Sequence, residues 1–159
     1  MKVGTDGVLL GAWAPVDQAH TALDVGTGTG LVALQLAQRN PHLRVTAVEI
    51  DAPAAAQAAE NVAGSPWPDR IEVVCADFND FQPDGRFDLI VSNPPYFVDA
   101  LPCPDRQRNT ARHAGGLNYD LLFRRSARLL SEGGVVSIVI PSEVERAAED
   151  AAWMQGLYP

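Results

Sequence analysis

The sequence predicts an α/β fold, a doubly wound and mostly parallel sheet with helices on both faces. Three observations predict it. Short runs rich in valine, isoleucine and leucine alternate along the chain with segments whose apolar residues recur at helical spacing. The short runs are almost continuously apolar, which is the pattern of strands buried on both faces rather than on one. The chain has 159 residues, with 47% hydrophobic and 20% charged side chains, and so matches one globular domain large enough to bury a sizeable core. The expectation is a single domain over residues 1–159, with right-handed helical crossovers between the strands.

Thr21 to Val25 (TALDV) is the first strand, because it is a short apolar run that stops at glycines. Leu31, Leu34, Leu36 and Ala37 follow at helical spacing until Asn40-Pro41 closes the helix. Arg44 to Ile50 (RVTAVEI) is the second strand. The alanine-rich Ala54 to Val62 favours a helix, and Gly64, Pro66 and Pro68 stop it. Ile71 to Cys75 is a third strand and Phe87 to Ser92 (FDLIVS) a fourth. Leu117 to Leu130 reads as a helix with Leu121, Leu122, Leu129 and Leu130 inward, and Gly134 to Ile140 (GVVSIVI) as a fifth strand. The chain carries neither an internal repeat nor a low-complexity linker.

Composition excludes several classes of function. The longest apolar runs are too short to span a bilayer, and no charged leader with an apolar core opens the sequence, which favours the cytoplasm. Cys75 and Cys103 lack C-x-x-C spacing and a histidine pair, so they read as reduced thiols, and no metal is expected. With 12 basic and 20 acidic side chains the net charge is −8, which argues against holding nucleic acid by bulk attraction. The distribution is uneven, however. Residues 101–128 carry Arg106, Arg108, Arg112, Arg124, Arg125 and Arg128 against Asp105 and Asp120, a locally positive island in an acidic chain. Taken alone, such an island is as readily a solvated face as an anion-binding surface.

Ligands of open parallel sheets lie at the carboxyl ends of the strands, near the point where strand order reverses. Four such ends are informative. After the first strand comes Asp24-Val25-Gly26-Thr27-Gly28-Thr29-Gly30, where missing Cβ atoms let backbone amides approach a ligand beside a helix N-terminus. The spacing is G-x-G-x-G. A dinucleotide fingerprint needs glycine where Leu31 stands, which weakens a phosphate cradle. Glu49 ends the second strand 23 residues beyond Gly26, the offset at which a carboxylate takes a ribose hydroxyl pair. Asp51, before Ala52-Pro53, reads instead as a helix cap. Asp77-Phe78 after the third strand offers an acceptor for an exocyclic amine beside a flat ring, a combination that suits adenine. Asn93-Pro94-Pro95-Tyr96 ends the fourth strand, and its two prolines fix the backbone so that Asn93 and the Pro94 carbonyl point outward.

Taken together, these residues resemble the class I S-adenosylmethionine-dependent methyltransferases, whose N-P-P-Y members methylate an amino or amide nitrogen held in a planar π-system. More narrowly, the block Lys2 to Trp13 (KVGTDGVLLGAW) and Ser65-Pro66-Trp67 resemble the bacterial tRNA(Val) adenine-37 N6-methyltransferase family. The resemblance implies a Rossmann-like core with S-adenosyl-L-methionine as cofactor and tRNA as substrate. It implies Asp24, Gly26, Gly28 and Gly30 around the methionine part of the cofactor, Glu49 on the ribose and Asp77 with Phe78 at the adenine. Thr5 falls in the family's N-terminal cofactor-contacting motif. Asn93, Pro94 and Tyr96 would do the chemistry, with Pro95 holding the target base and Arg106, Arg108 and Arg112 on the RNA backbone. Class I sheets add two strands after the last helix read here. Their absence from this reading leaves 134–140 as an expected edge strand and implies a catalytic domain shortened at both ends.

The expected reaction is direct methyl transfer to adenine N6. Two other readings share the motif. A protein-glutamine N5-methyltransferase would present the same planar nitrogen, and only the KVGTDG block and the SPW turn favour tRNA. A fragment that binds cofactor without turnover would serve as a partner subunit. A nicotinamide oxidoreductase is disfavoured by the glycine spacing. His113, in a loop rich in glycine and arginine, reads as a solvated or phosphate-facing residue rather than a general base.

Overall fold

A computed structural model describes residues 4–94 and 118–158. Its strands are β1 (Thr21–Val25), β2 (Arg44–Glu49), β3 (Ile71–Cys75), β4 (Phe87–Ser92) and β5 (Leu130–Ile138). All neighbouring pairs are parallel, and the order across the sheet is β3-β2-β1-β4-β5. Strand order therefore reverses between β1 and β4, which makes their carboxyl ends the expected place for a ligand. The helices are α1 (Thr5–Trp13), α2 (Leu31–Arg39), α3 (Ala52–Ala63), α4 (Tyr119–Leu129) and α5 (Glu145–Trp153).

Successive residues of a strand face opposite sides of the sheet, and here both sides are dry. On one side Ala22, Leu89 and Val91 pack with Leu10 of α1, Val32 and Leu36 of α2 and Val62 of α3. On the other side Leu23, Val25, Ile90 and Phe87 pack with Leu122 of α4 and with Phe78. Leu23, Leu36, Leu89, Ile90 and Leu122 are essentially inaccessible, each contributing about 1.5–3 kcal/mol relative to leaving it in water. α5 lies against α4 through Phe123, Ala148 and Ala151.

At the amino edge Asp88 fixes the relative positions of three strands. Its Oδ2 accepts from the backbone N–H of His20 (2.9 Å) and of Thr21 (3.2 Å), and its Oδ1 accepts from the Ser131 hydroxyl (2.7 Å). These bonds, the one from Ser131 foremost, hold its carboxyl below the usual aspartate range. Arg70 does similar work under α2, where its guanidinium donates to the carbonyls of Ala37, Asn40 and Leu43 at 2.8–3.2 Å.

The four strands from β1 to β4 fall where the apolar runs predict, apart from Ile50 at the end of the second. The fifth is displaced: it starts at Leu130 rather than Gly134 and ends at Ile138. Leu130 leaves α4 directly into pairing with Phe87, and the ladder then shifts register before Val135 meets Leu89. Gly133, at φ +74°, makes that shift possible. The helix read from Leu117 begins at Tyr119, because the Asn118 side chain accepts from the Leu121 N–H (2.7 Å) and caps it. β5 is the outermost strand of the described sheet, as the edge expectation has it.

Candidate active site

Strand register brings the candidate residues to one edge. Val25 pairs with Val48 and with Ser92, and Glu49 pairs with Cys75. Gly26, Asp77 and Asn93, which follow β1, β3 and β4, and Glu49, which ends β2, therefore lie at the carboxyl edge of four adjacent strands, with Gly26 and Asn93 on either side of the switch point.

The glycine turn needs its glycines at particular places. Gly26, Gly28 and Gly30 have φ of +71°, +59° and +85°, a left-handed region that disfavours a Cβ. The N–H groups of Gly26 and Thr27 both donate to the Val48 carbonyl (2.9 and 3.1 Å), which clamps the turn onto β2. On the far side α3 presses close, since a Cβ at Gly30 would lie 3.5 Å from the Ala58 Cβ. The Asn61 amide also donates to the Thr29 carbonyl (2.9 Å). Above Gly26, by contrast, a Cβ would meet nothing within 4 Å. The turn is supported below and open on the side a ligand would approach.

Asp24 lies beneath this turn, 1% exposed. Its Oδ2 accepts from the Thr27 hydroxyl (2.6 Å) and from the Ala33 N–H (3.1 Å), so it joins the strand, the turn and the first helical turn of α2. Burial pushes its carboxyl up from 3.8 to about 6, the two hydrogen bonds oppose that, and the nearby Glu49 charge adds to it. A folded-state value above the unfolded one means the folded chain binds the proton more tightly. This group's contribution is therefore greatest below pH 3.8 and declines until about pH 6. The decline amounts to about 3 kcal/mol. Asp24→Asn keeps an oxygen for both donors, so its unfolding free energy should gain about 3 kcal/mol on the unaltered protein between pH 4 and pH 7. Urea unfolding across that range checks this, and parallel curves would refute it.

Glu49 is engaged before any ligand arrives. Its Oε2 accepts from the Gly28 N–H (2.8 Å) and its Oε1 from the Asp51 N–H (3.0 Å). A carboxylate has about four acceptor positions, so two remain for hydroxyls. Asp51 is the predicted cap, and its Oδ2 accepts from the Ala54 N–H (3.0 Å). Asp77 closes a turn of its own: its Oδ1 takes the Asn79 N–H (2.8 Å), and its carbonyl takes those of Asp80 and Phe81.

Phe78 does not present a free ring at this edge. It is 5% exposed and sits in the core with Val48, Phe87 and Leu122, with the Arg125 guanidinium 5.4 Å from its ring centroid. The exposed apolar side chain at the edge is Ile50, directly after Glu49 and 59% exposed. The sequence gives no sign of this, because Ile50 continues the apolar run of β2, which ends at Glu49.

At the end of β4 the backbone is gripped from both sides. The Ser92 hydroxyl donates to the Val25 carbonyl (2.9 Å), and the Ser92 carbonyl accepts from the Val139 N–H (3.2 Å). Asn93 follows, half-buried, with Pro94 buried behind it. A Cβ at Gly7 of α1 would be 3.6 Å from Asn93 Nδ2, so the helix that starts with exposed Thr5 reaches the asparagine itself. Pro95, Tyr96, Arg106, Arg108 and Arg112, with Cys103 and His113, lie outside the described residues. Of the island's other arginines, Arg124 and Arg128 are exposed, whereas Arg125 is turned inward. Cys75 is exposed. Among the described residues, no group of His, Cys, Asp and Glu gathers as a metal ion requires, and no helix is long and apolar enough to cross a membrane.

The open glycine turn, a carboxylate with acceptor capacity left, a second carboxylate and an exposed isoleucine suit a ligand with an amino acid end, a ribose and an adenine. Comparison with known proteins points the same way. Residues 4–150 match the family model described as the methyltransferase small domain. A tRNA1(Val) (adenine(37)-N6)-methyltransferase of Bacteroides thetaiotaomicron is 59% identical over 159 residues, covering 99% of this chain and 67% of the relative. One from Yersinia enterocolitica is 45% identical over 160 residues, covering 96% of this chain and 64% of the relative. In fold, the crystal structure of TrmN from Thermus thermophilus has a TM-score of 0.65 at 24% identity. An O-methyltransferase of a Brevibacillus brevis trans-AT PKS multienzyme, solved with S-adenosyl-L-homocysteine, has 0.64 at 18%. The chain covers 40% of each of these two solved chains.

Proposed function

We propose, from the premise that this chain belongs to the tRNA1(Val) (adenine(37)-N6)-methyltransferase family, that it methylates N6 of adenine 37 in that tRNA. S-adenosylmethionine, when bound, supplies an electrophilic methyl on a sulfonium. The observation that carries the reading is the register of β1 against β4, because it sets Asn93 beside the turn that begins at Gly26.

The residues divide the work. Gly26, Gly28 and Gly30 keep the backbone low enough for the methionine end, and Asp24 holds that turn from beneath rather than touching a ligand. Glu49 takes the ribose hydroxyls with the acceptor capacity that Gly28 and Asp51 leave. Asp77 accepts from the adenine amine. Ile50 supplies the apolar contact with the ring that the sequence suggested for Phe78, while Phe78 holds the Asp77 turn in place.

At the acceptor side the difficulty is electronic. The lone pair of an exocyclic amine is delocalised into the ring, so N6 is a poor nucleophile. The Asn93 side-chain oxygen and the Pro94 carbonyl would accept the two N6 hydrogens and draw the nitrogen towards a tetrahedral shape, with its lone pair facing the methyl. As N6 bonds to the methyl, the bond from that carbon to sulfur would break and leave a neutral thioether, and the cationic nitrogen would then lose one proton to solvent, so no strong base is required. Positioning of this kind is worth about 7–11 kcal/mol of a barrier. Tyr96 would stack on the unstacked base, a contact of roughly 1–3 kcal/mol. The relatives' names and the arginine island that follows the corner support tRNA as the acceptor, with Pro95 against the base and Arg106, Arg108 and Arg112 on phosphates.

A labelled-methyl assay offering unmodified bulk tRNA and a glutamine-bearing protein side by side tests this. Label in tRNA that digests to N6-methyladenosine is expected. Label on the protein would favour the glutamine reading, and cofactor binding without transfer to either would favour an inactive partner subunit.

A further inference from the structure

Arg125 carries charge from the arginine island, yet α4 points it into the molecule. One Nη donates to the Phe81 carbonyl, and the guanidinium lies over the Phe78 ring, 5.4 Å from its centroid. Its Nε is buried with no partner. The guanidinium is thus held by one carbonyl and one aromatic face, and these belong to the two sides of the same short turn. Between them the Asp77 carbonyl takes the N–H groups of Asp80 and Phe81, and the Asp77 side chain takes that of Asn79. Among the described residues the turn is further supported by the Ala76 N–H, which donates to the Glu49 carbonyl (2.9 Å), and by the packing of Phe78 and Phe81 on the core that holds Leu23 and Ile90.

We propose that Arg125 is a positioning residue for the adenine end of the cofactor, a role that rests on the methyltransferase reading above. It never touches the ligand. By gripping Phe78 and Phe81 together it fixes where β3 ends and therefore where the Asp77 carboxylate stands relative to Glu49 and Ile50. A cation over an aromatic ring is stronger away from water, and a bidentate-capable guanidinium can serve ring and carbonyl at once, which a lysine ammonium does less well. The residue follows the acceptor corner in sequence but supports the opposite end of the site.

The test uses the full chain with Arg125→Met, Arg125→Lys and Phe78→Leu. Arg125→Met should weaken S-adenosylhomocysteine binding about tenfold, with lysine recovering part of the loss. 5′-Methylthioadenosine, which lacks the amino acid end, should lose affinity by the same factor. The KM for S-adenosylmethionine should rise while kcat at saturation holds, and tRNA affinity with its salt dependence should not move. Should Arg125→Met fail to fold, Phe78→Leu should show the same pattern in smaller degree. Unchanged S-adenosylhomocysteine affinity with a lowered Tm would make the arginine merely structural and overturn the proposal. A weaker tRNA complex with a shallower salt slope would make it a phosphate contact and do the same. If the unaltered chain binds S-adenosylhomocysteine but methylates no tRNA, the functional reading falls and the binding ratio still decides this one. If it binds no S-adenosylhomocysteine, both fall.

Discussion

Asn93→Ala is expected to lower methyl transfer by about 10²–10³-fold, the usual cost of removing one preorganised polar group from a reacting centre, with S-adenosylhomocysteine affinity unchanged. The split follows from the architecture. Asn93 follows β4, whereas Gly26 follows β1, Glu49 ends β2 and Asp77 lies beyond β3, so none of these three cofactor candidates relies on its side chain. Single-turnover rates at saturating cofactor, paired with calorimetry, separate the two quantities. A parallel fall in affinity and rate would mean that Asn93 belongs to the cofactor site instead. Asn93→Asp keeps an acceptor oxygen but brings a charge beside the base, and it should recover only part of the rate.

The second large effect is expected at Glu49. Glu49→Ala removes the acceptor for the Gly28 and Asp51 N–H groups together with the proposed ribose ligand. Hydrogen bonds to a charged acceptor are worth about 1.5–3 kcal/mol each, so cofactor affinity should fall by about 100-fold or more. Glu49→Gln retains one oxygen, enough for one of the two amides, and should fall in between. The same change has a second signature. The Glu49 charge helps to raise the Asp24 pKa, so neutralising it should move the pH-dependent step in stability to lower pH. A Glu49→Gln protein that loses affinity without moving that step would show the two carboxylates to be uncoupled.

Much of this was legible in the sequence because burial on both faces leaves a direct trace. TALDV and FDLIVS could only be interior strands, and the glycines after Val25 and the prolines after Ser92 mark where they stop. The helices at either end left no such trace. α1 is apolar on both sides: Leu10 and Gly11 are buried, but Val8, Leu9 and Trp13 are exposed, Trp13 to 77%. No one-sided pattern distinguishes it. α5 buries only Ala148 and Ala151, small residues that patterning registers weakly. Side-chain direction was the harder matter. Nothing in the order of residues says that Phe78 turns into the core while Ile50 stays out, because both are large apolar residues just past a strand. In sequence Arg125 is indistinguishable from the other arginines of its island, and only the rotation of α4 turns it, unlike exposed Arg124 and Arg128, towards Phe81.

The order of the strands has a consequence for how such a protein diversifies. Every described residue assigned to contact with the cofactor lies between Thr5 and Asp77, while the first of the groups assigned to the acceptor comes at Asn93, yet the sheet sets the two groups side by side at β1 and β4. A mutation or an exchanged segment after Ser92 can therefore re-target the methyl to another nitrogen, provided that Arg125 and its grip on the Asp77 turn are kept. Contact with the donor and experimentation with the recipient are kept on separate stretches of the gene, with Arg125 on α4 as the tie between them.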